Sequence, residues 1–455
     1  MIKAGSGSSG AQAVAASNRE LGVSTSNGGN TKCAPDTRNC DGGGAQHEPD
    51  AVSHEGGDDK HELETISFDR AGYKTSSATY VHENAIENDS AEQVTRWLQT
   101  GFLWPLLELV LWAFWRLFQL VFALAVLLVL TLVARQRSLI YAPVPPGTQR
   151  SPRMNPPQFS SPANWDLPFE DVEIVTEDGV RLHAWFVYQP EDACKEVGAP
   201  YTLVYFHGNA GNIGHRLENV ADMHEKLKVN ILIVDYRGYG DSADGPGPSE
   251  SGLMLDALAT YLWVVRRASA PASAGARPRV ASDRLLLFGR SIGGCVAGGL
   301  AKAVLESQSS GNPLPMPAGL VLENSLTSIR EMAVQLFPFL KCLRPLIRWP
   351  ILLDEWRAEE RLEFVAQRHR DWGCCLLSGL RDELVPPAHM RRLYEVLERG
   401  RPRVLEMHTF EDGGHNDTPA RGGDAYWEAF AGFLARLSEA QAAEGAGRLP
   451  ADEDR

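Results

Sequence analysis

The hydrophobic pattern changes character several times along the chain. From residue 1 to about 95, small and polar residues dominate and large hydrophobes are rare, with no period among them. Such a segment buries too little apolar surface to offset its ordering entropy, so residues 1–95 are expected to be a disordered acidic tail. An apolar block follows over 102–134, in which Gln119 and Thr131 are the only polar positions from Leu117 to Ala134. A helix from Leu111 to Ala134, rising about 1.5 Å per residue, is long enough for a hydrocarbon core of roughly 30 Å. Trp104, Trp112 and Trp115 gather towards one end with Arg116, and Arg135 and Arg137 mark the other, as interfacial anchors do. One transmembrane or interfacial helix is expected there. A buried core helix fits less well, because the block is apolar on every side.

Residues 135–168 carry Pro143, Pro145, Pro146, Pro152, Pro156, Pro157, Pro162 and Pro168, and are expected to form an extended linker wrapping onto the next domain. From 169 to 438 the pattern is that of a folded domain. Glu170–Val175 and Arg181–Val187 alternate around Glu177-Asp178-Gly179, which predicts an antiparallel hairpin. Short apolar runs follow at Tyr201–Phe206, Ile231–Val234, Leu285–Phe288, Gly319–Glu323, Cys374–Ser378 and Val404–Thr409, separated by helical stretches. Strands alternating with helices predict an α/β fold, a mostly parallel sheet with helices on both faces. Ala268–Arg279 and Ser307–Pro317 read as surface inserts, and 439–455 as a frayed Ala/Glu-rich tail.

Composition adds exclusions. A chain of 455 residues accommodates one sizeable domain plus accessory segments. The net charge of −14 and the absence of a basic stripe give no sign of a nucleic-acid partner. The seven cysteines are scattered without a C-x-x-C pair, so neither zinc nor redox chemistry is expected, and no metal or cofactor is called for. The N-terminus lacks the apolar run of a cleaved signal peptide.

The chemistry centres on Gly289-Arg290-Ser291-Ile292-Gly293, which lies between an apolar run and the small-residue run Gly294–Ala301. That context reads strand, sharp turn, helix. The turn strains the serine backbone, so its flanking residues must be small, and it exposes Ser291 Oγ at the end of the strand. An acyl-transfer serine needs a base, an orienting acid and an oxyanion hole. His415, in Gly413-Gly414-His415-Asn416 after the last strand, is the candidate base; His408 and His389 are weaker candidates. The loop after Cys374–Ser378 offers Asp382 and Glu383 as acids, and spacing alone does not choose between them. Ile292 should give one oxyanion N–H, and the loop His207-Gly208-Asn209-Ala210-Gly211-Asn212 the other, at Asn209 or Ala210. That loop lacks the lysine of a phosphate-binding P-loop.

With these residues assembled, the chain resembles the α/β-hydrolase superfamily. Within it, the branch typified by α/β-hydrolase domain-containing protein 13 and the bud-emergence proteins is the most similar. The matching text is His207–Arg216, Val234–Ser242, the elbow Phe288–Gly294, the acid loop Gly379–Pro387 and His415-Asn416-Asp417-Thr418. The likeness covers roughly 105–435. It implies the triad Ser291, Asp382 and His415, with Asn209 and Ile292 at the oxyanion hole. It also implies a single-pass, signal-anchored membrane hydrolase.

The expected activity is hydrolysis of a lipid ester or acyl-protein thioester, with the lipid bilayer and an acyl substrate as partners. A peptidase, a small-ester hydrolase and a catalytically silent membrane interaction module are the alternatives. The family places the catalytic domain on the non-cytosolic side, whereas the arginines after the helix place it in the cytosol, and the side stays open. The stretch 326–371, with Met332, Leu336, Phe337, Ile351, Leu352 and Leu353 among its apolar residues, is expected to form a small helical cap. Equally, those side chains would simply pack on the sheet.

Overall fold

The computed structural model describes residues 82–98, 101, 103–190, 199–270, 280–338, 341–342, 345 and 351–447. The expected tail up to residue 81, most of the insert Ala268–Arg279, most of 339–350 and the last residues from 448 lie outside the described residues. So do Cys33, Cys40 and Cys194.

Helix α1, His82–Leu98, occupies the final part of the segment expected to be disordered. The stretch contains neither glycine nor proline, and Arg96 in its last turn meets the negative end of the helix dipole. Helix α2, Trp104–Ile140, has Pro105 in its first turn, where a missing N–H costs nothing. It extends beyond the expected end at Ala134, because Arg135–Ile140 contain no breaker and Gln136 is buried against the body of the domain. Its apolar side chains from Trp104 to Leu132 stand exposed.

The segment expected to be an extended linker is a series of short turns. Pro152–Met154, Pro157–Phe159 and Pro162–Trp165 are 3₁₀ turns, each opened by a proline whose fixed φ suits a first helical position. Asn155 and Asn212 tie this segment to the domain: Asn155 Nδ2 donates to Asn212 Oδ1 at 2.9 Å, and Asn212 Nδ2 donates to the Arg150 carbonyl at 3.0 Å.

The strands are β1 Phe169–Val175, β2 Arg181–Val187, β3 Thr202–Phe206, β4 Asn230–Val234, β5 Leu285–Arg290, β6 Gly319–Glu323, β7 Gly373–Gly379 and β8 Val404–Phe410. They form one sheet of order β1-β2-β4-β3-β5-β6-β7-β8. The hairpin β1–β2 and the pair β2–β4 are antiparallel, and the remaining pairs are parallel. Central strands are buried on both faces, which is why they read as continuous apolar runs.

The helices divide between the two faces. One core joins Val204, Phe206 and Leu287 to α4 (Glu250–Ala268), α5 (Ile292–Ser307), α7 (Ala358–Arg368) and α8 (Ala388–Gly400). The other joins Leu203, Tyr205 and Phe288 to α3 (Leu217–Leu227) and α9 (Thr418–Gly447). Cys374 and Cys375 are both fully buried in β7, as small hydrophobes.

Two expected boundaries shift. The region 326–371 is not a single cap: α6 (Ile329–Leu336) leaves Leu336 exposed, whereas α7 buries Leu362 and Val365 in the core as an ordinary crossover helix. The frayed tail expected from 439 is helical to Gly447, since Ala, Glu and Gln favour helix. Its Gln441 accepts from Tyr201 Oη at 2.8 Å and donates to the Asp283 carbonyl at 2.9 Å.

Arg237 clamps the loop after β4. Its side chain is almost fully buried and pairs with Asp256 at 2.9 Å and Asp178 at 2.7 Å. Burial pushes the Asp256 carboxyl up to about 6, although Arg237 beside it pulls the other way. Replacement of Arg237 by Met strands Asp256, and the expected loss is about 3–5 kcal/mol in denaturant titrations at pH 8. Arg237 holds the Asp256 pKa down against burial, so in the variant the folded state takes up the Asp256 proton at a higher pH than in the wild type, and the deficit should shrink as pH falls towards 5. A deficit that grows on acidification would contradict this.

Candidate active site

Ser291 follows β5 directly and precedes the first residue of α5, with φ 55° and ψ −124°. This conformation is rare for a residue with a side chain and costs of the order of 1–3 kcal/mol. The neighbours show why the turn closes only with glycine. A Cβ at Gly293 would lie 2.0 Å from the Phe206 carbonyl oxygen, and one at Gly289 would lie 2.4 Å from the Gly293 carbonyl oxygen. The Ser291 N–H donates to the Glu323 carbonyl at 2.9 Å, which fixes the turn to the next strand.

The three side chains separated along the sequence come together at the sheet's carboxyl edge. His415 Nε2 stands 3.0 Å from Ser291 Oγ, and its Nδ1 stands 2.8 Å from Asp382 Oδ2. All three residues are buried, at 6–9 % exposure. Asp382 Oδ1 accepts the N–H groups of Leu384 at 2.9 Å and Val385 at 2.7 Å, so the carboxylate is oriented before it meets the ring. The choice left open by spacing is resolved geometrically: Asp382 meets the imidazole, and Glu383 Oε2 accepts the His415 backbone N–H at 3.3 Å. His408 pairs with Glu406, and His389 lies between Thr327 and Gln335, away from the serine.

The loop after β3 passes over the serine. A Cβ at Gly208 would lie 3.5 Å from Ser291 Cβ, so this backbone approaches closely. Ile292, as the first residue of α5, has an N–H without an intrahelical acceptor at the positive end of the helix. Asn209 carries its backbone in the same loop, while its side-chain oxygen accepts the Ala142 N–H at 3.1 Å and Tyr239 Oη at 3.3 Å. Ala142 also pairs with Ala210 in a single β-bridge, and the Gly211 N–H donates to the Ala142 carbonyl at 3.2 Å. The chain leaving α2 is thereby bonded into this loop. His207 is fully buried against Tyr236 and Tyr239, and burial pushes its imidazole down to about 3, so it is neutral. Asp235 Oδ1 accepts the Ile213 N–H at 2.9 Å and its other oxygen meets His183 at 3.0 Å, anchoring the far end of the loop.

Several residues that support this geometry had no signal in the pattern. Arg290, the variable position of the elbow, pairs with Glu323 at 3.0 Å and donates to the His415 carbonyl at 2.9 Å. Tyr426 Oη donates to Glu323 from α9. Asn324, at φ 45°, accepts the Gly379 N–H at 2.9 Å and donates to the Gly414 and His415 carbonyls at 3.2 Å and to Thr418 Oγ1 at 2.9 Å. The hint available was an asparagine directly after a strand, a residue that tolerates positive φ. Two surface clefts, around Glu250 and Phe364 and around Thr327 and Arg392, are not lined by the three site residues.

A hydroxyl, an imidazole and a carboxylate in line constitute an activated nucleophile. Asn324→Ala leaves the Gly379 N–H without its acceptor and removes one of the donors that hold the histidine loop, beside Arg290 and Thr418, at an expected cost of about 1–3 kcal/mol. It should also slow phosphonylation of Ser291 about tenfold or more, read from fluorophosphonate labelling time courses beside thermal melts. Unchanged labelling kinetics would show that Asn324 does not position the histidine.

No protein-family model matches the chain. It is 36 % identical over 330 residues to the α/β-hydrolase domain-containing protein WAV2 of Arabidopsis thaliana, covering 70 % of this chain and 93 % of that protein. It is 30 % identical over 300 residues to protein bem46 of Schizosaccharomyces pombe, covering 66 % of this chain and 86 % of that protein. It is also 30 % identical over 313 residues to an uncharacterized membrane protein of Saccharomyces cerevisiae, covering 69 % and 93 % of the two. On these relatives and the sheet order described above, the chain belongs to the α/β-hydrolase superfamily, among the bem46-type proteins.

Proposed function

We propose that the chain is a membrane-anchored serine hydrolase that cleaves an acyl ester or thioester through an acyl-enzyme. The observation that carries this reading is the imidazole of His415 standing between Ser291 Oγ and Asp382. His415 Nε2 takes the serine proton as Oγ attacks the acyl carbonyl, and Asp382 holds the ring with Nδ1 protonated and stabilises its positive charge. The Ile292 and Asn209 N–H groups receive the developing oxyanion. His415 then protonates the leaving alkoxide or thiolate. Water enters, His415 removes its proton, and collapse of the second tetrahedral intermediate frees the acid and restores Ser291.

Anchoring is supported by α2, whose apolar side chains are exposed over a length sufficient to cross a bilayer, and by a relative named as a membrane protein. A lipid ester or a fatty-acylated cysteine fits a catalytic domain tethered so closely to a membrane.

A fluorophosphonate should label the wild-type protein and leave Ser291→Ala unlabelled, and hydrolysis of p-nitrophenyl esters should fall about 10⁴-fold or more in that variant. Full labelling of Ser291→Ala would overturn the assignment.

A further inference from the structure

The hydrogen bonds at the end of α2 set the height of the catalytic domain above the bilayer. From Trp104 to Leu132 the side chains of α2 are exposed, and hydrogen bonds to the domain begin at Gln136. Ala134 ends the unbroken apolar run and Arg135 follows it, which places the hydrocarbon edge there on the anchoring reading above. Within the next turn the helix grips the domain. Gln136 Nε2 donates to the Ile351 carbonyl at 3.1 Å, the Leu353 N–H donates to Gln136 Oε1 at 2.8 Å, and Arg137 pairs with Asp354 at 3.1 Å.

These contacts hold 351–354 alongside residues 136 and 137, only about 3–5 Å beyond the hydrocarbon edge for an upright helix. The headgroup layer on each side is itself about 5–8 Å deep. At this level Ile351 is 44 % exposed and Leu353 is 45 % exposed, with Leu139 at 65 % in the last turn of the helix. Three large apolar side chains therefore lie exposed at the depth of the headgroup layer.

We infer that Leu139, Ile351 and Leu353 form a collar seated in the headgroup layer of the leaflet from which α2 emerges. The collar's place within the depth of the headgroup layer commits it to lipid as its occupant. The active site follows from the same geometry. Ala142 lies two residues past the helix and is bonded to Asn209 and Gly211, in the loop over Ser291. Six helical residues and two extended ones span at most about 16 Å from the hydrocarbon edge to that loop. The site takes long-chain acyl substrates from this leaflet, with the chain still in contact with lipid while its carbonyl reaches Ser291.

The test uses the full chain in phosphatidylcholine vesicles containing a photoactivatable phosphatidylcholine with a diazirine at headgroup level. Cross-linked lipid is expected on the peptide containing Ile351 and Leu353. A protein that resists carbonate extraction but carries no lipid there would overturn the collar alone. Release by carbonate would overturn the anchoring and the collar together. Cross-linking of that peptide to another protein or to a second copy instead of lipid would also overturn the collar.

Kinetics supply an independent readout. In the Ile351→Ser/Leu353→Ser variant, kcat/KM for vesicle-borne p-nitrophenyl palmitate should fall about fivefold or more, from lost apolar burial at the interface. Hydrolysis of soluble p-nitrophenyl butyrate and the melting temperature should not change. Equal losses on both substrates, or none on either, would overturn delivery from the leaflet. Failure of the wild type on both esters and with fluorophosphonate would sink the esterase reading, and lipid cross-linking would still decide the collar.

Discussion

Everything at the candidate site depends on one backbone constraint, the left-handed turn at Ser291 between β5 and α5. The turn is tight because three chain segments crowd it: β3 ends at Phe206, whose carbonyl leaves no room for a Cβ at Gly293, and α5 starts one residue later. The same crowding delivers the useful features together. The hydroxyl meets the His415 ring at the sheet edge, the Ile292 N–H belongs to the first residue of a helix, and the loop containing Gly208 is drawn within van der Waals reach of the serine. Strain of this order is sustained only in a deeply packed setting, and β5 is buried along its whole length.

The serine is fixed by sterics, the histidine by polar contacts. Its loop is irregular and depends on Asn324 after β6, Arg290 at the end of β5 and Glu383 after β7 for its backbone hydrogen bonds. Arg290 is itself buried and is matched by Glu323, which Tyr426 bonds from α9 on the same face of the sheet. A buried charge is tolerated when its remaining hydrogen-bonding groups are satisfied, and this network provides that satisfaction while joining strands β5 and β6 to helix α9.

The sequence displayed the parts governed by local rules. Branched apolar runs marked every strand of the parallel portion, the hairpin showed through Glu177-Asp178-Gly179, and the glycines around Ser291 announced the elbow. Ser291, His415 and Asp382 could be named because each follows a strand of this sheet, although choosing Asp382 over Glu383 needed the family resemblance. The supporting polar residues were not legible. Asn324, Glu323 and Tyr426 meet across about a hundred positions, and no periodicity reports a pairing between distant polar groups. Helix limits failed where tertiary contacts decide them, as at Arg135–Ile140, which continue α2 because Gln136 docks on Ile351 and Leu353. Intrinsic propensity extended the chain's last helix beyond 439, and the apolar stretch between β6 and β7 did not reveal that half of it, Ala358–Arg368, is a layer helix.

The bonding of Ala142 into the Asn209 loop has a consequence for any released form of the enzyme. A protease that cuts within 135–140 would leave a fragment that retains Tyr141 and Ala142, and with them the β-bridge that steadies the loop. A cut a few residues later would liberate almost the same mass but leave Asn209 without that partner. Two fragments nearly indistinguishable by size would then differ in how firmly the loop beside Ser291 is held.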